Sequence, residues 1–154
     1  MADTTAEVTE RIAASPASIY ALVSDLPRMG EWSPENRGGK WLDGASEAAV
    51  GARFRGHNKK GVRRWSTICT ITSASPGERF GFHVSTGPLA VADWTYELRP
   101  DGDATVVTER WVDRRPGWMV LLSGPVMGVV DRATYNREGM RQTLAAVKGC
   151  VEAG

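Results

Sequence analysis

The chain has 154 residues, with 19 basic and 18 acidic side chains and a net charge of +1 at neutral pH. This length suits one domain that can bury a substantial core without disulfides or metals, and the charge balance gives no argument for nucleic acid as a partner. Two cysteines, Cys69 and Cys150, are too few and too far apart for a disulfide scaffold or a zinc site, and they suit a reduced, cytoplasmic setting.

Neither the N-terminus nor the most apolar run of the chain predicts stable membrane insertion. The N-terminus, Met-Ala-Asp-Thr-Thr, lacks the basic and apolar regions of a signal peptide. The most apolar run, residues 118–130, is interrupted by Gly and Pro and is shorter than the roughly 20 residues that span a bilayer. We therefore expect a cytoplasmic protein.

The first part of the chain predicts one strand and two short helices. Residues 4–13 alternate well enough for a strand. Ser15 before Pro16 is the pattern of a helix N-cap followed by proline in the first turn, and it opens a short apolar helix. A second helical piece is predicted over residues 27–32.

The central part predicts six strands separated by turns rich in Gly, Pro and Asp. The predicted strands cover residues 40–42, 52–58, 62–75, 79–86, 89–99 and 104–113. The first hairpin turn is predicted at Lys59-Lys60-Gly61, where four basic side chains form a tip: Lys59, Lys60, Arg63 and Arg64. This tip is either a solvated turn or a weak patch that attracts anions or touches a membrane.

The last part predicts one long helix over residues 131–154. Read from the break at Gly124-Pro125, the apolar positions before and within this helix follow steps of three and four along one face, with Arg137 on the same count: Val126, Val130, Ala133, Met140, Leu144, Val147 and Val151. One helix cannot bury such a stripe alone, so a sheet must cover it. We therefore predict one α+β domain over residues 1–154, a curved antiparallel sheet of about seven strands around a long C-terminal helix.

Several stretches together resemble one superfamily: ASPASIYALVSDLPRMGEWSP, VGARFRGHNKKGVRRWS, SASPGERFGFHV, WTYELRPDGDATVVTERW and the terminal helix. They resemble the START-like helix-grip superfamily, also called SRPBCC, and within it the bacterial polyketide cyclase/dehydrase-like single-domain proteins. The resemblance covers nearly the whole chain. It implies a deep cavity between the concave face of the sheet and the long helix, with the ligand inside.

Aromatic side chains alternate onto the inward face of the predicted strands. They are Trp65, Phe82, Trp94, Tyr96 and Trp111. Such rings either fill the core of a small domain or line a pocket for a flat or lipid-like ligand. Asn58 shares the face of Phe54 and is either a turn residue or, by the resemblance, a hydrogen-bonding group near the cavity mouth.

Two charged residues fall on faces that should be apolar. Glu109 lies between two apolar positions of its strand, and Arg137 interrupts the helix stripe before Met140. Burying either charge alone is unfavourable. We hypothesise that both point into the cavity, paired directly or through water, and orient the polar end of a ligand. The alternative is that Arg137 reaches past the helix edge and Glu109 lies near a strand end.

Other signals of catalysis are weak. His57 adjoins a turn and His83 alternates away from Phe82, so neither is expected to be catalytic. No metal-ligand motif, phosphate-binding Gly loop or Gly-Xaa-Ser-Xaa-Gly elbow occurs, so neither a metal nor another cofactor is expected. The apolar run 118–122 is either a buried short helix that closes one end of the cavity or a surface that docks on a membrane or a second subunit.

The expected function is an intracellular binding protein, monomer or homodimer, for a small hydrophobic or amphipathic ligand that is polyketide-like or lipid-like. The candidate ligand-binding residues are Asn58, Trp65, Phe82, Trp94, Tyr96, Glu109, Trp111, Arg137 and Met140. One alternative is a polyketide cyclase/dehydratase-type enzyme in which Glu109 transfers protons. Another is a toxin-like or regulatory module that acts through protein contacts at residues 118–130.

Overall fold

The computed structural model describes residues 4–119, 121 and 132–153. In chain order the elements are β1 (Thr5–Ile12), α1 (Pro16–Val23), a 3-10 helix (Leu26–Glu31), β2 (Asn36–Trp41), β3 (Arg53–Lys60), β4 (Arg63–Ser75), β5 (Arg79–Thr86), β6 (Leu89–Asp101), β7 (Ala104–Asp113) and α2 (Arg132–Ala153). Within this part of the chain, seven strands form one antiparallel sheet in the order β1-β7-β6-β5-β4-β3-β2. The predicted α+β architecture is confirmed.

The start of α1 follows the predicted capping pattern. The Ser15 hydroxyl accepts a hydrogen bond from the Ser18 amide at 3.2 Å, and Pro16 occupies the first helical position. This cap satisfies one of the amides that a helix start leaves without a partner. The apolar residues of the short helix then point into the core, where Ile19 and Val23 are buried.

Several strand boundaries differ from the prediction, and two of the differences, in β2 and β3, have an evident local cause. β2 begins at Asn36 instead of Lys40, because Asn36 pairs with Asn58 of β3 and, after a shift in register, Gly39 pairs with Gly56. A Cβ at Gly39 would collide with the Arg55 carbonyl and the Phe54 ring. β3 continues through Lys60, so the hairpin turn lies at Gly61 and Val62 instead of Lys59-Lys60-Gly61, and Gly61 adopts a positive φ of 60°.

The inward face of the sheet and α2 together form the core. Toward the β4–β5 and β6–β7 turns, the buried core includes Ile71, Phe80, Leu98, Val107, Leu144 and Val147. α1 covers the same region with Ile19, and Tyr20 packs edge-on against Phe80 with ring centroids 6.1 Å apart. One half of the space between the sheet and α2 is therefore solid. The predicted helix positions Val126, Val130 and Asp131 lie outside the described residues.

Candidate functional site

The other half of that space is hollow. A cavity of about 350 Å³ lies between the sheet and α2, on the side of the β3–β4 and β5–β6 turns. This volume is at the lower end of the roughly 300–1,000 Å³ that small-molecule sites occupy. Its size suits a fused-ring or short-chain molecule.

The floor of the cavity is formed by residues that lie at a similar depth on four strands and on α2. On each element, a residue that lines the cavity is followed by a core residue, one step deeper along the same face. The floor residues are Cys69, Phe82, Tyr96, Glu109, Met140 and Thr143. Beneath them lies the solid half of the core, so a ligand that enters from the mouth must stop at this level.

The walls are largely aromatic, and the strand register explains how they meet. Trp94 on β6 is the cross-strand neighbour of Phe82 on β5 and of Trp111 on β7, and all three line the cavity. Trp65 lines it from β4. The sequence left open whether these rings fill the core or line a pocket. In the structure they line the cavity, whereas Phe80 fills the core.

Glu109 is the buried carboxyl of the floor. The residue is 2% exposed, and its Oε1 atom has no hydrogen-bond partner among the described residues. Tyr96 is its cross-strand neighbour. Burial raises the pKa of Glu109 to about 8, and a hydrogen-bonding interaction with the Tyr96 hydroxyl offsets part of this increase. The carboxyl is therefore mostly protonated at neutral pH and can donate as well as accept a hydrogen bond.

Glu109 and Arg137, both in the described part of the chain, do not form the direct pair that was hypothesised. Arg137 is half-buried and is not among the residues that line the cavity. The reason is which residues of α2 lie on its buried face. From Ala133 the buried face takes a step of three residues to Asn136, and the predicted step of four would have led to Arg137. Every other candidate ligand-binding residue lines the cavity.

α2 contributes two polar residues that the sequence analysis missed. Asn136 is 5% exposed and lines the cavity, as does the buried Thr143. The Thr143 hydroxyl donates to the carbonyl of Gly139 at 2.9 Å, which leaves its oxygen free to accept. Steps of three residues, from Ala133 to Asn136 and from Met140 to Thr143, would have placed both polar residues on the buried face of the helix.

The mouth of the cavity is polar and ion-paired. Arg132, at the start of α2, bonds to both carboxylate oxygens of Glu35 at 2.8 and 3.2 Å. Its guanidinium also stacks over the Tyr135 ring, 5.1 Å from the centroid, and Lys60 from the β3–β4 hairpin lies 5.4 Å from the same centroid. Asn58 lies at this mouth and donates to the Thr67 hydroxyl at 3.3 Å. These contacts join the hairpin, the segment before β2 and the helix around the opening.

The two histidines, His57 and His83, lie away from the cavity. Nδ1 of His57 bonds to the Ser66 hydroxyl at 3.0 Å, and Nδ1 of His83 lies 2.6 Å from Asp93 Oδ1. Neither histidine lines the cavity. The described residues contain no group of three or more metal-binding side chains and no helix long and apolar enough to cross a bilayer.

The apolar run that begins at Trp118 is only partly described. Trp118 and Leu121 are 55% and 78% exposed, and Met119 lines the cavity. Residues 120 and 122–130 lie outside the described part, so the prediction of a docking surface there stays a prediction.

Comparisons with known proteins agree with this geometry. A sequence model of the family described as "Polyketide cyclase / dehydrase and lipid transport" matches residues 3–152. A polyketide-cyclase-like protein from Corynebacterium glutamicum is 32% identical over 97% of this chain and 91% of that chain, with a TM-score of 0.65. No protein of curated function matches the chain.

Two further solved structures are similar in fold alone. A START superfamily protein from Mycobacterium smegmatis is 19% identical, with 97% of each chain covered and a TM-score of 0.67. A protein from Thermus thermophilus is 18% identical, with 97% of each chain covered and a TM-score of 0.70.

Proposed function

The chain belongs to the polyketide cyclase/dehydrase and lipid transport family of the START-like helix-grip superfamily, and on this premise we propose that it binds a small hydrophobic or amphipathic ligand in the cavity. The observation that carries the proposal is the hollow half of the core. A small domain gains stability by filling its interior, and a void of about 350 Å³ sacrifices packing contacts that a ligand restores.

The lining suggests what the ligand looks like. Trp65, Phe82, Trp94 and Trp111 offer flat apolar contact along the walls. Polar groups lie at both ends, with Asn58 at the mouth and Glu109 at the floor, and the hydroxyl of Thr67 lies on the wall between them. A polyketide-like or short lipid-like molecule with an apolar middle and polar ends suits this distribution, and we propose that the chain carries such a molecule inside the cell.

One observation favours a second function, that of a cyclase or dehydratase. A buried carboxyl whose pKa is about 8 can exchange protons near neutral pH, which is what a general acid or base requires. In this role Glu109 would transfer a proton to or from a ligand held against the aromatic walls. Turnover that is lost in Glu109→Gln, with ligand affinity retained, would favour this function over carriage alone.

Binding is tested by filling the cavity and by making the same change on the other face of the same strand. Thr67 on β4 lines the cavity, whereas Thr72 on the same strand is exposed. We expect the fluorescent apolar probe N-phenyl-1-naphthylamine to bind wild type and Thr72→Trp with similar affinity. Thr67→Trp should reduce its affinity at least tenfold, because the indole occupies the ligand volume. Equal binding by both variants, or no binding by wild type, would refute the proposal.

A further inference from the structure

The floor of the cavity contains a polar group with an unused bonding position. Glu109 Oε1 is buried and has no hydrogen-bond partner among the described residues. A buried polar atom without a partner loses its hydration and gains nothing in return. Tyr96 interacts with the same carboxyl from β6, and the neighbouring floor side chains Phe82 and Met140 are apolar. A ligand atom is therefore the natural partner for the unused position.

Among the described residues, no positively charged side chain contributes to the pKa shift of Glu109. The titratable groups that share the floor are Tyr96 on β6 and Cys69 on β4, and burial raises the pKa of each, so both are neutral. Beyond its first turn, α2 contributes uncharged residues to the lining of the same cavity, among them Asn136, Met140 and Thr143. β1 places Val8 beside Glu109.

The arginines that line the cavity are each ion-paired with an acidic side chain, although Nη1 of Arg132, near the mouth, is buried without a hydrogen-bond partner among the described residues. Arg115 pairs with Asp113 at 2.7 Å, and Arg132 pairs with Glu35 at 2.8 Å. Neither contributes to the pKa shift of Glu109, whose causes are burial and the opposing interaction with Tyr96. The floor is thus a neutral, hydrogen-bonding environment, in which a carboxylate of the ligand would meet another carboxyl and no cation.

We propose that the floor binds a neutral oxygen, that of a ketone or hydroxyl at the inner end of the ligand. Glu109 and Asn136 donate hydrogen bonds to this oxygen. This inference rests on the proposed function and narrows its ligand class. The protonated Glu109 carboxyl donates to the ligand oxygen, the Asn136 amide can donate to the same atom, and Thr143 can accept from a hydroxyl. Molecules that end in a carboxylate must enter with that end toward the mouth.

The test uses four naphthalenes that differ only in the group at position 2. They are 2-acetylnaphthalene, 2-isopropenylnaphthalene, 2-naphthoate and 2-(aminomethyl)naphthalene, and their affinities are measured by calorimetry at pH 6.5. We expect the ketone to bind wild type about fivefold to tenfold more tightly than the isopropenyl hydrocarbon, the range of one hydrogen bond. The carboxylate should bind more weakly than the hydrocarbon.

Variants of the floor residues then test whether these residues cause the preference for the ketone. Glu109→Gln keeps a neutral donor of the same shape and should retain the ketone preference within about threefold, whereas Glu109→Leu should abolish it and leave the affinity for the hydrocarbon unchanged or higher. Asn136→Leu should reduce the preference in part. Val84→Leu changes the apolar lining without changing any polar group and serves as the control.

The outcomes separate the two proposals. If all four compounds bind wild type without a ketone preference, or if Glu109→Leu retains it, the inference about the floor is wrong and the ligand-binding function stands. Tightest binding of the amine would show that Glu109 acts as an anion and would also overturn the inference. If none of the naphthalenes binds, the proposed function itself fails.

Discussion

Replacing Glu109 with Gln should make the protein more stable relative to wild type as the pH rises. The unfolded carboxyl has an ordinary pKa of 4.5, and in the folded protein burial raises it to about 8. Between these values the folded state holds a proton that the unfolded state has released. Stability is therefore lost as the pH rises from about 4.5 to about 8, because the folded state binds more protons.

The magnitude follows from the two pKa values. One proton of difference changes the free energy of unfolding by about 1.4 kcal/mol per pH unit. Integrated from pH 5 to pH 7.5, wild type loses about 3 kcal/mol that Glu109→Gln does not lose. With an m-value of ~2 kcal/mol/M, this corresponds to a relative shift of ~1.5 M in the urea midpoint.

The assay is urea unfolding of both proteins at half-unit pH intervals, followed by tryptophan fluorescence and by circular dichroism. All other titrating groups are common to the two proteins, so the difference in the free energy of unfolding isolates Glu109. Glu97→Gln removes a carboxylate from the exposed face of β6 and controls for the loss of one negative charge. A difference that stays constant within ~0.5 kcal/mol across the range would refute the reasoning, since it would mean that the carboxyl is hydrated and titrates as it does in the unfolded chain.

Three further predictions concern the framework of the cavity. Burial raises the pKa of Cys69 to about 12 and Cys150 is exposed, so Ellman's reagent should label one thiol quickly and the second only on unfolding; two fast thiols would contradict the burial of the floor. Leu144→Ala should lower the free energy of unfolding by roughly 3 kcal/mol, because Leu144 belongs to the solid half of the core, and a loss below ~1 kcal/mol in urea unfolding would contradict that placement. Ser15→Ala should cost about 1 kcal/mol through the lost cap, and an unchanged urea midpoint would contradict it.

The fold was largely predictable because its signals are local. The strand ranges 79–86 and 104–113 were correct at both ends, where Gly and Pro turns end a clear alternation. β2 was predicted too short, because consecutive glycines usually indicate a loop. The packing of the Phe54 ring on Gly39, a contact between different strands, decides otherwise. Such contacts are not encoded in the local pattern.

The cavity itself was less predictable. Alternation identifies which face of a strand points inward, but it does not tell where along that face the solid core ends. Phe80 and Phe82 have the same chemistry and the same orientation, and both belong to the buried core, yet only Phe82 also lines the cavity. The choice between Asn136 and Arg137 depended on whether the helix face advances by three or four residues, and the period of 3.6 allows both.

Native mass spectrometry of the purified protein tests most directly whether the hollow half of the core holds a ligand. Wild type and Thr67→Trp would be expressed and purified in parallel, with N-phenyl-1-naphthylamine added to a second portion of each. We predict that wild type carries one small molecule per chain, retained from the cell or added as the probe, that is released on denaturation. At the same probe concentration, Thr67→Trp should carry much less. Wild type without bound mass even at saturating probe, or equal occupancy of the two proteins, would contradict a ligand site between the sheet and α2.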